Sequence, residues 1–129
     1  MWPFKKRTDD ELELAKIINN AKKELQRAKK LFKKYPISHE AWKAVQEALR
    51  LISKESAQFE SWNLTKKDLL LGEIKRLVRD IQKILEMGKL YKQYYESYNT
   101  APVSSLDLDK IRERLYSAIN YTKEILRIL

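Results

Sequence analysis

The sequence predicts an all-α fold, an antiparallel four-helix bundle with a long third helix, on three observations. Two glycines and three prolines in 129 residues leave too little turn material for a sheet with many hairpins. Apolar residues recur at intervals of three and four through four segments, the period of an amphipathic helix. The breaks between these segments are short, which favours antiparallel neighbours. With 43% hydrophobic and 35% charged residues, the composition suits one folded domain with a single core. We read 1–7 as a flexible amino-terminal segment and 8–129 as that domain; neither an internal repeat nor a low-complexity stretch divides it.

Helix one begins at Thr8-Asp9-Asp10-Glu11. This is a capping box, in which the Thr8 hydroxyl accepts from the Glu11 amide and the Glu11 carboxylate reaches back, with acids where the helix dipole favours them. Leu14, Ile18, Ala21, Leu25, Ala28 and Phe32 form its apolar arc to about Lys34. Tyr35-Pro36-Ile37 breaks it, because the residue before a proline is pushed out of the α region. Ser38 is expected to cap helix two, whose inward face is Ala41, Trp42, Val45, Ala48, Leu49, Ile52 and Phe59.

A break from Glu60 to Leu64 precedes Thr65-Lys66-Lys67-Asp68, a second Thr-x-x-acid start. Leu70, Ile74, Leu77, Ile81, Ile84, Leu85, Tyr91 and Tyr95 then keep one face over about thirty residues, about 45 Å at 1.5 Å per residue. Asn99-Thr100-Ala101-Pro102 ends this third helix. Ser104-Ser105-Leu106-Asp107 offers a further cap. Leu108, Ile111, Leu115, Ala118, Ile119, Thr122, Ile125, Leu126 and Leu129 line helix four to the last residue.

Few residues speak for catalysis. The chain has no cysteine and one histidine, His39, so thiolate metal sites, thiol nucleophiles and the paired Glu-x-x-His site of di-metal bundles have no carriers. His39 reads as an exposed residue of the first turn of helix two. The acids Asp9, Asp10, Glu11 and Glu13, like Asp107 and Asp109, stand at helix starts. Gly72 and Gly88 are isolated inside a helical pattern, not in a phosphate-cradling loop; Gly88 reads as a close approach of a neighbouring helix. The expectation is a non-enzymatic protein with no metal and no cofactor. Neither a secretion signal nor an apolar run of about 18 residues is visible, so the expected location is cytoplasmic.

Charge is the most informative feature. The net charge is +9, and residues 1–35 hold eleven Lys/Arg against five Asp/Glu. Between Ala15 and Tyr35 stand Lys16, Lys22, Lys23, Arg27, Lys29, Lys30, Lys33 and Lys34 with one acid, Glu24. At about 100° per residue, Lys16, Lys23, Arg27, Lys30 and Lys34 lie opposite the apolar arc, with Lys22, Lys29 and Lys33 beside them. A merely solvated helix intersperses Glu with Lys at i,i+4; here like charges neighbour like, at a few tenths of a kcal/mol per pair. Arg76, Arg79 and Lys83 form a smaller group on helix three, and adjacent faces would make one surface of the two. The partner expected from this stripe is nucleic acid, held mainly by its phosphate backbone as in an accessory subunit of a nucleoprotein complex, or another acidic partner.

A second apolar seam competes with that reading. Met87, Leu90 and Tyr94 lie off the core face of helix three at i, i+3, i+7, so either Trp62 or the amino-terminal segment covers them, or they form a subunit interface. The alternative function is therefore a homo-oligomeric interaction or scaffold module. Tyr91, Tyr95 and Tyr98 with Lys89 and Lys92 also suggest a stacking platform for a single strand. A third, weaker reading is a peripheral membrane protein anchored by Trp2, Phe4 and the cations Lys5, Lys6 and Arg7.

Overall fold

The computed structural model describes the backbone of residues 7–34, 39–98 and 105–129, with their side chains except those of Lys34, residues 90–98 and residues 105–108. Among the described residues there are four α-helices and no strand: α1 Asp9–Lys34, α2 His39–Ser53, α3 Lys67–Tyr98 and α4 Ser105–Ile128, with a 3-10 helix Ser56–Ser61 between α2 and α3. The predicted fold class is the observed one. At 32 residues α3 is the longest element, against 26 for α1, and it runs unbroken through Gly88.

Packing order decides which faces reach solvent. Both α1 and α3 pack on α2 and α4, while among the described residues α1 and α3 do not touch. Those two helices therefore occupy one diagonal of the bundle. Hydrogen bonds set their directions. The Thr8 hydroxyl donates to the Asn63 carbonyl at 2.6 Å and the Asn63 amide donates to Asp10 Oδ2 at 2.6 Å, so α1 and α3 start at the same end of the bundle. Arg7 Nε donates to the Leu129 carbonyl at 3.0 Å, so α4 ends where α1 begins and the two run antiparallel. At the opposite end the rings of Phe32 and Trp42 meet edge to face at 4.7 Å, bringing the end of α1 to the start of α2.

Most of the inward residues expected build the core, while Trp42, Leu49, Leu85, Leu126 and Leu129 are only half-buried against it and Ile17, Ala44 and Leu64 join it unexpectedly. Leu14, Ile18, Ala21, Leu25, Ala28 and Phe32 of α1 are fully buried, as are Ala41, Val45, Ala48 and Ile52 of α2 and Leu70, Leu77, Ile81 and Ile84 of α3. Ile111, Leu115, Ala118, Ile119 and Ile125 complete it from α4. Thr122 is the buried hydroxyl among them, and it donates to the Ile119 carbonyl at 2.5 Å, which removes the penalty of an unpaired polar group. Tyr91, Tyr95 and Leu108 lie outside the described side chains.

The capping box forms as read. The Glu11 amide donates to Thr8 Oγ1 at 3.0 Å and the Thr8 amide donates to Glu11 Oε1 at 3.0 Å. Two other boundaries differ from expectation. Thr65 does not cap α3, which begins at Lys67; its hydroxyl is turned toward α1, where it donates to Oε1 of the buried Glu11 at 3.2 Å. Phe59 is buried, but not on α2. The helix stops at Ser53, where the Ser56 hydroxyl donates back to the Ser53 carbonyl at 3.2 Å, a local bond that competes with helix continuation. The 3-10 helix then carries Phe59 inward and packs it edge to face on Trp62 at 4.9 Å. The caps expected at Ser38 and Ser104 lie outside the described residues.

Candidate nucleic-acid interface

With α1 anchored by its apolar arc against α2 and α4, its opposite face is fixed toward solvent. Lys16, Lys23, Arg27, Lys29, Lys30 and Lys33 are exposed and Lys22 is half-buried; the Lys34 side chain lies outside the described set. From Lys16 to Lys33 the row extends about 26 Å at 1.5 Å per residue. Acids do not sheathe it. Arg27 Nη1 stands 3.8 Å from Glu24 Oε2, with the Arg27 side chain 60% exposed, a geometry worth little in water. Among the described residues Lys16, Lys22, Lys23, Lys30 and Lys33 have no ion pair. Lys29 is the exception in another sense: its Nζ lies over the Tyr116 ring of α4, 5.0 Å from the centroid.

The second cationic group does not join this face. Arg76, Arg79 and Lys83 are exposed on α3, and because α3 is diagonal to α1 the outward sides of the two helices point away from each other. The condition for one surface, adjacent faces, is not met, and the two cationic groups form two surfaces. Arg76 is also partly neutralised, its Nη1 2.6 Å from Oε1 of the buried Glu73. Arg79 instead lines an open groove of about 450 Å³ between α3 and the 3-10 helix, with Ser56, Phe59, Leu71, Lys75 and Val78.

Sequence reading passed over α4, whose segment is nearly balanced in charge. Arg114 Nη1 lies 3.6 Å from Asp80 Oδ1, and the Ser117 hydroxyl donates to Asp80 Oδ2 at 2.8 Å, so one flank of α4 is tied to α3. The other flank, marked by Tyr116 under Lys29, borders the basic face of α1. The signal was the spacing of Arg112, Tyr116 and Lys123, at i, i+4 and i+11, which places them along one side of a helix.

At the far end of α3, Met87 packs against the core of its own chain, while Leu90 and Tyr94 lie outside the described side chains. Trp62 does not cover Met87; it lies on Phe59 before the start of α3, and Lys67 and Met87 are about 30 Å apart by helical rise. Gly88 is occupied as expected: a Cβ built there would stand 2.6 Å from Cε3 of Trp42. His39 is exposed at the first turn of α2, and among the described residues no group of three or more His, Cys, Asp or Glu is placed to hold a metal ion. Among the same residues no helix is long and apolar enough to cross a membrane. The aromatic and basic residues Trp2, Phe4, Lys5 and Lys6 lie outside the described residues. No protein-family model, curated protein or solved structure matches this chain.

Proposed function

We propose that this chain binds nucleic acid, without catalysing a reaction, by laying the outer face of α1 along the phosphate backbone. One observation supports the reading: Lys16, Lys23, Arg27, Lys29, Lys30 and Lys33 stand exposed along a single helix, and the one acid among them, Glu24, touches only Arg27, at 3.8 Å. Repeated like charge works against the isolated fold, and a polyanion offsets it by releasing its counterions when it binds. Lysines favour charge over base identity, so the binding is expected to be weakly dependent on sequence.

The test is the salt dependence of binding to fluorescent duplex and single-stranded oligonucleotides. Each phosphate neutralised contributes about −0.9 to the slope of log K against log salt on duplex, and about −0.7 on a single strand. A steep slope is expected. The double change Arg27→Glu, Lys30→Glu should flatten it while the helical circular dichroism stays unchanged, since neither side chain enters the core. Failure of every DNA and RNA probe to bind at low salt overturns the proposal and leaves the oligomeric or interaction-module alternative ahead.

A further inference from the structure

Of the large apolar or aromatic side chains that stand exposed among the described residues, Leu12, Leu69 and Tyr116, only Tyr116 is aromatic, and at 58% it is also the most exposed. Its position gives that exposure a chemical context. Lys29 Nζ stands over the ring at 5.0 Å from the centroid. On α1, Lys22 and Lys33 are seven residues before and four after Lys29, on the same side of the helix. On α4, Arg112 and Lys123 are four residues before and seven after Tyr116, again on one side. Because the two helices run antiparallel, the two rows of cations lie along a shared seam, Lys33 toward Arg112 and Lys22 toward Lys123, with Tyr116 between. Among the described residues acids flank the seam at its two ends: Asp109, 3.6 Å from Arg112 Nη1, with the exposed Glu113, and beside Lys123 Glu124, which is paired with Arg127.

We infer that this seam takes a single-stranded nucleic acid, with one base stacked on Tyr116 and the flanking phosphates on the lysines of α1 and on Lys123. The inference rests on the reading of α1 as a phosphate-binding face and names the class of nucleic acid. An aromatic ring among cations is the pairing that holds unpaired bases, since every base has a π-face and the backbone beside it is anionic. In a duplex the base faces are already stacked on one another and the ring has nothing to meet. The cation–π contact holds the ring in place in the free protein. An arriving base replaces the Lys29 ammonium on that face, and the ammonium turns to the adjacent phosphate.

The experiment measures the full-length chain against two fluorescent probes, a twelve-nucleotide oligothymidylate and a twelve-base-pair duplex, each over the same range of salt concentrations. Tyr116→Ala should weaken oligothymidylate binding by about 5-fold to 150-fold, the range for one lost stacking contact of about 1 to 3 kcal/mol. It should leave duplex binding and both salt slopes unchanged, and Tyr116→Phe should bind as the wild type does. Oligothymidylate binding that survives Tyr116→Ala, or duplex binding that falls equally with it, overturns this inference while the phosphate-binding face stands. Wild-type protein that binds neither probe overturns both.

Discussion

Gly72 and Gly88 lie on the same helix and make opposite predictions. A Cβ at Gly72 meets no atom within 4 Å, whereas at Gly88 it would come within 2.6 to 3.0 Å of three Trp42 ring atoms. Glycine inside a helix is destabilising by about 0.5 to 1 kcal/mol relative to alanine, so Gly72→Ala should stabilise by up to about that amount. At Gly88 the same gain is outweighed by overpacking, typically about 1 to 3 kcal/mol, because the Trp42 ring is itself held by Phe32 and has little room to yield. Urea midpoints should therefore move up for the first variant and down for the second. A rise for Gly88→Ala would mean that Trp42 gives way freely. Glu11 makes a prediction of its own. Burial pushes its carboxyl up, but bonds from the Thr8 amide and from the Thr65 hydroxyl and amide together hold it below its ordinary value of 4.5. A carboxylate depressed by folding contributes stability above its unfolded value and loses that contribution as pH falls through the folded one. The stability advantage of the wild type over Glu11→Gln should thus be full near neutrality and shrink progressively below about pH 4.5.

The legibility of each element depended on where its determinants lay. The start of α1 was readable because both halves of the capping box sit within four residues, and Thr8→Ala should cost about 0.5 to 2 kcal/mol in a denaturation titration. The same motif at Thr65 misled, because its side chain is turned toward Glu11 of α1, a partner that sequence spacing cannot bring near. Phe59 was placed correctly inside and wrongly on α2, since residue 59 is two helical turns past Ile52 and a periodicity test passes over the serines that end the helix. The candidate site divides in the same way. The cations of α1 share one helix and could be read from their angles alone. The Tyr116 seam depends on a contact between the first and last helices, so neither half of it looked unusual: α4 is nearly neutral overall, and a lone surface tyrosine needs no explanation.

At the scale of the whole molecule, the diagonal placement of α1 and α3 turns net charge from a nuisance into a control. Electrostatic attraction of a polyanion has a long-range part set by total charge and a contact part set by the phosphates actually met. Arg27→Glu, Lys30→Glu on α1 and Arg79→Glu, Lys83→Glu on α3 each exchange two cations for two anions and lower the formal charge by four, from +9 to +5. All four side chains are exposed and none supports the core. The two variants are therefore matched in charge and differ in which side of the bundle carries the change. If binding were a response to net charge, their affinities and salt slopes would fall together. With contact along α1, reversal there should flatten the duplex slope by about 1.8, two phosphates at about 0.9 each, while reversal on α3 lowers affinity at low salt and leaves the slope nearly unchanged. Measuring both variants against one duplex over a range of salt separates these outcomes. A flatter slope for the α3 variant with none for α1 would move the interface to the opposite side of the bundle, beside the groove that Arg79 lines.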